Sequence, residues 1–394
     1  MTLEGCHFRF GDLIALSPRQ EWHVNESVIG AQFDETEMWG FYSASFSLPG
    51  ITKWVQMRSS KTTLLGTERG ELNGFSIAVE AKTWPLWTLD GVTVEFFNQI
   101  STLDVDEELS ALRSRVHIRA RSATVLGNAD FYKVATRPVQ VLFALATGEF
   151  TTPVSGEGSI APFDPKGGNV FCERRWHPHD IRFEVDKLRF GFTYSTLVAL
   201  GQDACQKWLE RSAKSEAVFN LYLATLRDGT GTMELRFLMI VQALETLHRR
   251  SNSDAVLESA AWDVLRPQLA NIITERVSKG PKREALLSRV QFFNELSLKQ
   301  RLLSLLKALG PHAQGIAGGN EEAFVRRVVK TRNEFTHWSS GEDKDVFKEE
   351  QLVFATHRLI ALLEMVLILD VGFGLDSSPL QEVWRRRISW LTAG

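Results

Sequence analysis

Apolar residues recur along this chain with two different periods, and the period changes near residue 200. In GFSIAVEAK, Phe75, Ile77 and Val79 alternate with small or polar residues. GVTVEFF, SRVHIRARS, DIRFEVD and KLRFGFTY repeat that alternation between Gly, Pro, Asn and Asp clusters. A period of two puts one apolar face on a pleated strand, so the first half is predicted to be mainly β. FYKVATRPVQVLFALATG (131–148) breaks the alternation and is predicted to be helical, with Pro138 in an early turn or at a kink. From about residue 203 the apolar spacing becomes three and four. Helices are predicted over ACQKWLERSAKSEAVFNLYLATLRDG, TMELRFLMIVQALETLHRR, AVLESAAWDVLRPQLANIITER, PKREALLSRVQFFNELSLKQRLLSLLKALG and FKEEQLVFATHRLIALLEMVLILDVGF, with PHAQGIAGGN as a loop. The expected fold class is α+β: a β-rich N-terminal domain over 1–200 followed by an all-α bundle over 201–394.

One predicted helix carries polar groups where they are not expected. In EEAFVRRVVKTRNEFTH, Phe324, Val325, Val328, Val329 and Phe335 form an apolar stripe. Arg332 falls within that stripe, and Asn333 and His337 lie beside it. Asn333 and His337 are four apart and share a face, which Arg326 and Lys330 extend backward as a short cationic approach to substrate. These residue types suit RNA cleavage without a metal. Histidine can move the proton of a ribose 2′-OH because its pKa lies near neutrality. Arginine holds a phosphate through a planar fork that stays charged. The Arg-x4-His spacing is weak by itself, because it recurs at Arg174 and His179 in RRWHPH. That second copy contains Pro178, lies among predicted strands and has no Asn after its Arg.

Composition narrows the setting. The net charge of -3 gives no global basic field, so any nucleic-acid contact must come from a local patch. Three cysteines, far apart in sequence and odd in number, are not a disulfide framework and fit a reducing cytoplasm. The start MTLEGCHFRFGD lacks the basic and apolar regions of a signal peptide. The apolar stretch LIALLEMVLILDVGF, interrupted by Glu364 and Asp370, reads as a core helix too short to cross a bilayer. Cys172, His177, His179 and Asp180 could ligate zinc, but not at a standard spacing, so no metal and no cofactor is expected. Arg115, His117, Arg119 and Arg121 alternate with apolar residues and would make one strand face basic, either solvated or binding. The terminal WRRRISW could grip phosphates or dock as a short helix. No Walker-type glycine loop, G-x-S-x-G or HExxH occurs.

RNEFTH resembles the R-N-x-x-x-H signature of HEPN domains, small helical bundles found in many RNases of toxin–antitoxin and anti-phage systems. KWLERSAKSEAVFNLYL, ELRFLMIVQALETLHRR and RNEFTHWSS followed by a long apolar helix are together similar to the ApeA-type HEPN domain, over roughly 204–375. The upstream half, including PVQVLFALATGEFTTP, resembles the N-terminal domain of ApeA-like proteins. The resemblance implies an endoribonuclease that needs no metal and leaves a 2′,3′-cyclic phosphate. His337 would be its acid/base, Arg332 its phosphate-holding cation and Asn333 an orienting group. It also implies an RNA substrate and a homodimer in which two motifs meet in one cleft and supply two histidines. The implied setting is abortive infection in anti-phage defence, in the cytoplasm and away from membranes. Activity would be restrained by the N-terminal domain as sensor until a trigger, such as a phage product, arrives. The alternative is a HEPN module that binds RNA or nucleotide, or senses phage protein, without cutting.

Glu245 is the remaining candidate. It lies in RFLMIVQALETLH, apolar on nearly every side, where a carboxylate is costly unless paired. It is expected to pair with Arg332 or His337 and fix that residue's orientation; the alternative is that it reaches solvent beside His248 and Arg249.

Overall fold

The computed structural model describes residues 2–4, 7–12, 19–23, 26–29, 40–56, 60–66, 72–104, 110–160, 171–176, 188–201, 203–227, 231–251, 255–337 and 345–389. Of these, 2–29, 60–79, 102–113, 171–176 and 337 are described by backbone alone. The chain divides into two compact units. The first holds Met1–Ala213, Leu226–Asp228 and Asp370–Glu382, and the second holds Lys214–Thr225, Gly229–Leu369 and Val383–Gly394.

The first unit is built on an eight-stranded antiparallel sheet. Its strand order is Thr2–Glu4, Glu26–Ile29, Phe171–Trp176, Ser155–Ser159, Gly40–Phe46, Ser110–Gly127, Val92–Asp104 and Thr83–Leu89. Two hairpins, His7–Asp12 with Arg19–His23 and Ser60–Gly66 with Leu72–Val79, accompany it. The stretch predicted to be helical is a helix in three parts: Asn128–Phe131, a π turn at Tyr132–Thr136, and Arg137–Thr147. Pro138 follows the π turn inside this continuous helix; it has no N–H to offer the Val134 carbonyl, which accepts the Trp87 Nε1–H at 3.1 Å instead. Every residue from Pro138 to Thr147 is buried. Gln140 is satisfied there, because its Nε2 donates to the Thr151 carbonyl at 2.8 Å. Trp54 anchors the core, with Nε1 donating to the Phe192 carbonyl at 2.8 Å and its ring edge-on to Phe96 and Phe143.

Two expectations in this half need correcting. KLRFGFTY is not a strand: its described residues form irregular chain up to the short helix Tyr194–Val198. Its alternation arises because Phe190 and Phe192 pack on Phe143 and Trp54 from a loop. The predicted basic strand face is in large part neutralised. Arg119 and Arg121 clamp the buried Glu95 at 2.7 and 3.0 Å, while Arg119 also lies over the Phe97 ring. His117 is buried against Phe97, and neither ring nitrogen has a partner among the described residues. Burial, helped by Arg115, pushes its pKa down to about 4. DIRFEVD, the zinc candidates His177, His179 and Asp180, and the second Arg-x4-His lie outside the described residues or side chains.

The regular elements described in the second unit are all helices, apart from one isolated β-bridge between Ala255 and Glu295. Helices Met233–Ser251, Leu298–Ala308, Glu321–His337 and Glu349–Val371 supply most of its core, including Phe237, Leu244, Leu302, Leu306, Val325, Val328, Leu359 and Leu363. Two predicted helices are broken. The first stops at Lys214 and resumes at Glu216 across buried Ser215. The second ends at Val290 and restarts at Leu298, where Ser297 and Gln300 form a reciprocal capping box. The predicted loop PHAQGIAGGN contains the helix Pro311–Ala317. Gly315 is required in it, because any Cβ there would collide with the Trp384 indole. The helix Glu349–Val371 has 23 residues, so length alone would let it cross a bilayer, contrary to the expectation. It is mostly buried, as a core helix is.

Candidate active site

The helix Glu321–His337 is held by a narrower buried stripe than the sequence implies. Phe324, Val325, Val328 and Thr331 are its buried positions, whereas Val329 and Phe335 are only half-buried. Thr331 is fully buried, donating its hydroxyl to the Arg327 carbonyl at 2.8 Å and accepting the Phe347 N–H at 2.9 Å. Those bonds fix the helix axially one residue before Arg332. Phe335 stands edge-on to Phe237 of Met233–Ser251, with ring centroids 6.0 Å apart, which fixes its rotation three residues after.

Arg332 lies between these two anchors, half-buried at the edge of the stripe. Its Nη1 donates to Oδ1 of exposed Asn333 at 3.2 Å, so the guanidinium turns from the buried margin toward the open face. Thr336 donates its hydroxyl to the Arg332 carbonyl at 2.7 Å and closes the last turn. His337 is the final residue of the helix, and its position along the backbone places it on the face of Asn333, Lys330 and Arg326. Its side chain is outside the description. Arg326 and Lys330 both reach Asp345, at 3.3 and 3.1 Å, and Arg327 comes within 4.0 Å of it. Three cations around one carboxylate leave the approach positive but partly occupied.

Residues 1–208 match the family described as ApeA N-terminal domain 1, and residues 238–377 match Apea-like HEPN. The chain is a member of the ApeA-like HEPN family. Neither the curated proteins nor the solved structures give a match. The two matched domains together point to a HEPN protein of anti-phage defence, and the HEPN match contains the helix Glu321–His337.

Within this HEPN domain Glu245 pairs with Arg301 and Arg249, and no pair with Arg332 occurs among the described residues; the side chain of His337, the other expected partner, lies outside them. Glu245 Oε1 accepts from Arg301 at 2.9 Å and lies 3.4 Å from Arg249. Glu295 closes the network, 2.9 Å from Arg249 and 3.3 Å from Arg301. Arg301 is the buried member, and it needs a carboxylate because no water reaches it. A signal for this pair exists in the sequence: Arg301 interrupts the apolar set Leu298, Leu302, Leu305 and Leu306, just as Arg332 interrupts its own.

A second charged cluster escaped sequence reasoning. Glu364 is fully buried in Glu349–Val371 and accepts from Arg387 at 2.8 Å, Arg386 at 3.0 Å and the Tyr222 hydroxyl at 2.9 Å. Burial drives its pKa upward, but Arg387 and Arg386 outweigh it and hold the carboxyl at about 2. Arg386 and Arg387 of WRRRISW therefore dock on the bundle. Nearby His357 is pushed down to about 4 by burial, then by Arg387 and Arg236, against an opposing pull from Glu364.

Proposed function

We propose that this protein is a HEPN endoribonuclease of cytoplasmic anti-phage defence, acting by abortive infection. Arg332 holds the scissile phosphate and Asn333 orients it or the imidazole. His337 and the same residue of a second copy share the proton work. The 2′-oxygen attacks phosphorus as its proton passes to one imidazole, and the 5′-oxygen leaves with a proton from the other. The products are a 2′,3′-cyclic phosphate end and a free 5′-hydroxyl, with no metal in the step. Single strands and loops are the favoured targets because their 2′-hydroxyls can be reached. The β-rich domain restrains the activity until infection supplies a trigger.

The observation carrying this reading is the Arg332–Asn333 pair, turned to the open side of a helix end that Thr331 and Phe335 pin on both flanks. Buried Arg301 is closed off by two carboxylates, whereas no carboxylate pairs with Arg332 among the described residues. Arg326 and Lys330 supply the cationic approach, and an incoming phosphate would compete with Asp345 for them. The test compares total RNA from cells expressing the natural sequence or His337→Ala, with and without phage challenge. RNA fragmentation in the natural sequence alone is expected. Intact RNA in both, with protection in both, removes the nuclease reading and leaves a binding or sensing module.

A further inference from the structure

Asp345 is fixed more firmly than its ion pairs alone would fix it. Arg326 and Lys330, four apart on the motif's face of Glu321–His337, both reach its Oδ2, at 3.3 and 3.1 Å. Arg327 Nε lies 4.0 Å from its Oδ1. Arg326 and Lys330 keep 59 and 40% of their side chains in water, so these pairs add little to stability. The backbone behind the carboxylate is held by other means. Phe347 donates its N–H to the buried Thr331 hydroxyl at 2.9 Å. Arg327 donates Nη2 to the Val346 carbonyl at 3.2 Å and to Gln351 Oε1 at 2.8 Å, and lies 4.2 Å from the centre of the Phe347 ring. Segment 345–347 is therefore set on the helix by contacts that do not use the charge of Asp345, and they deliver that charge to the cations.

A phosphodiester fits the same place. It carries one negative charge on two unesterified oxygens, as an ionised carboxylate does, and guanidinium and ammonium groups bond both kinds of anion. Because Arg326 and Lys330 converge on one oxygen of Asp345, they would share one phosphate and not bind two. The spacing from the cleavage motif follows from the helix. Arg326 and Lys330 lie on either side of position 328, and Arg332 and Asn333 follow it by four and five residues, about 7 Å along the axis. One nucleotide step of an extended strand covers that distance, so the two places would take adjacent phosphates.

We infer that Asp345 stands in for a second phosphate, one nucleotide from the scissile one, and that RNA must displace it there. The inference rests on the proposed function for its ligand, RNA, and for the scissile phosphate at Arg332. It adds a substrate requirement: a charged linkage beside the cut, which a dinucleotide with its single phosphate does not have. The test measures binding of the full chain to single-stranded 2′-O-methyl RNA across a salt series. That RNA has no 2′-hydroxyl, so it is held without being cut. Asp345→Asn should tighten binding a few-fold. Arg326→Ala with Lys330→Ala should weaken it and flatten the slope of log K against log salt by about 0.7, the value of one phosphate on a single strand. Adding Asp345→Asn to that pair should then change nothing. A flattening of about 1.4 by the pair would mean two phosphates and overturn the shared place. Unchanged affinity in Asp345→Asn overturns the inference and leaves Asp345 a structural partner of its cations; so does a natural sequence that does not bind the probe. The nuclease reading fails separately: the expected binding pattern without RNA fragmentation in challenged cells keeps the second phosphate place and removes the cleavage.

Discussion

Two places in the helical unit set arginine against the edge of an apolar core, with opposite outcomes. Around Glu364, Arg386, Arg387 and Tyr222 meet one fully buried carboxylate, and its oxygens are taken up by them. At Arg332 the guanidinium has a neutral amide beside it and an exposed face ahead of it. Charge in the first place is closed and structural, whereas in the second it is left available. The difference lies in what the partners leave unsatisfied, not in residue type, and it can be broken experimentally from either side.

The largest effect is expected at the closed cluster. Glu364→Ala strands two guanidinium groups in a dry site and should cost about 3–5 kcal/mol of unfolding free energy, read from denaturant titration. A cost below about 1 kcal/mol would show that water reaches the cluster. Arg301→Ala comes next, at about 2 kcal/mol, since Glu245 and Glu295 retain some access to water when their partner is removed. Acidification should act on the closed cluster in two stages. His357 has a folded pKa of about 4, below its unfolded value, so stability falls as pH drops from about 6.5 toward 4. Glu364 likewise has its pKa depressed, so its contribution is present above about pH 4.5 and is lost toward pH 2. Thermal melts that stay flat from pH 7 to 4 would contradict the first stage.

The open site should behave in reverse. Arg332→Ala and Asn333→Ala should each change stability by no more than about 0.5 kcal/mol, because neither removes a buried partner. Both should abolish RNA fragmentation in challenged cells. Asp345→Asn is the mildest change: it frees Arg326 and Lys330, and should raise RNA affinity a few-fold with a steeper salt dependence. Unaltered affinity would remove the cationic approach from the account.

The legible parts of this molecule were those set within one element. The change of period near residue 200, the helix around Pro138 and the apolar stripe of Glu321–His337 follow from spacing alone. Breaks at Ser215 and before Ser297 were hidden because apolar spacing continues across them, although Ser297 and Gln300 spell a capping box. The partner of Glu245 was not legible, since periodicity says which face of a helix is buried but not which helix covers it. Thr331 is not legible, because a threonine in an apolar stripe reads as a weak position, whereas its hydroxyl makes the bonds that fix the register of the motif.

The central claim, that the end of Glu321–His337 is a site of RNA cleavage, is tested most directly by mapping RNA 3′ ends. Cells carrying the natural sequence, Arg332→Ala or His337→Ala at equal protein levels are challenged with a phage against which the natural sequence protects. Ends bearing 2′,3′-cyclic phosphate are then sequenced. The account predicts that new cyclic-phosphate ends accumulate with the natural sequence and stay at background in both variants, which also lose protection. The same ends at the same frequency in all three would contradict it.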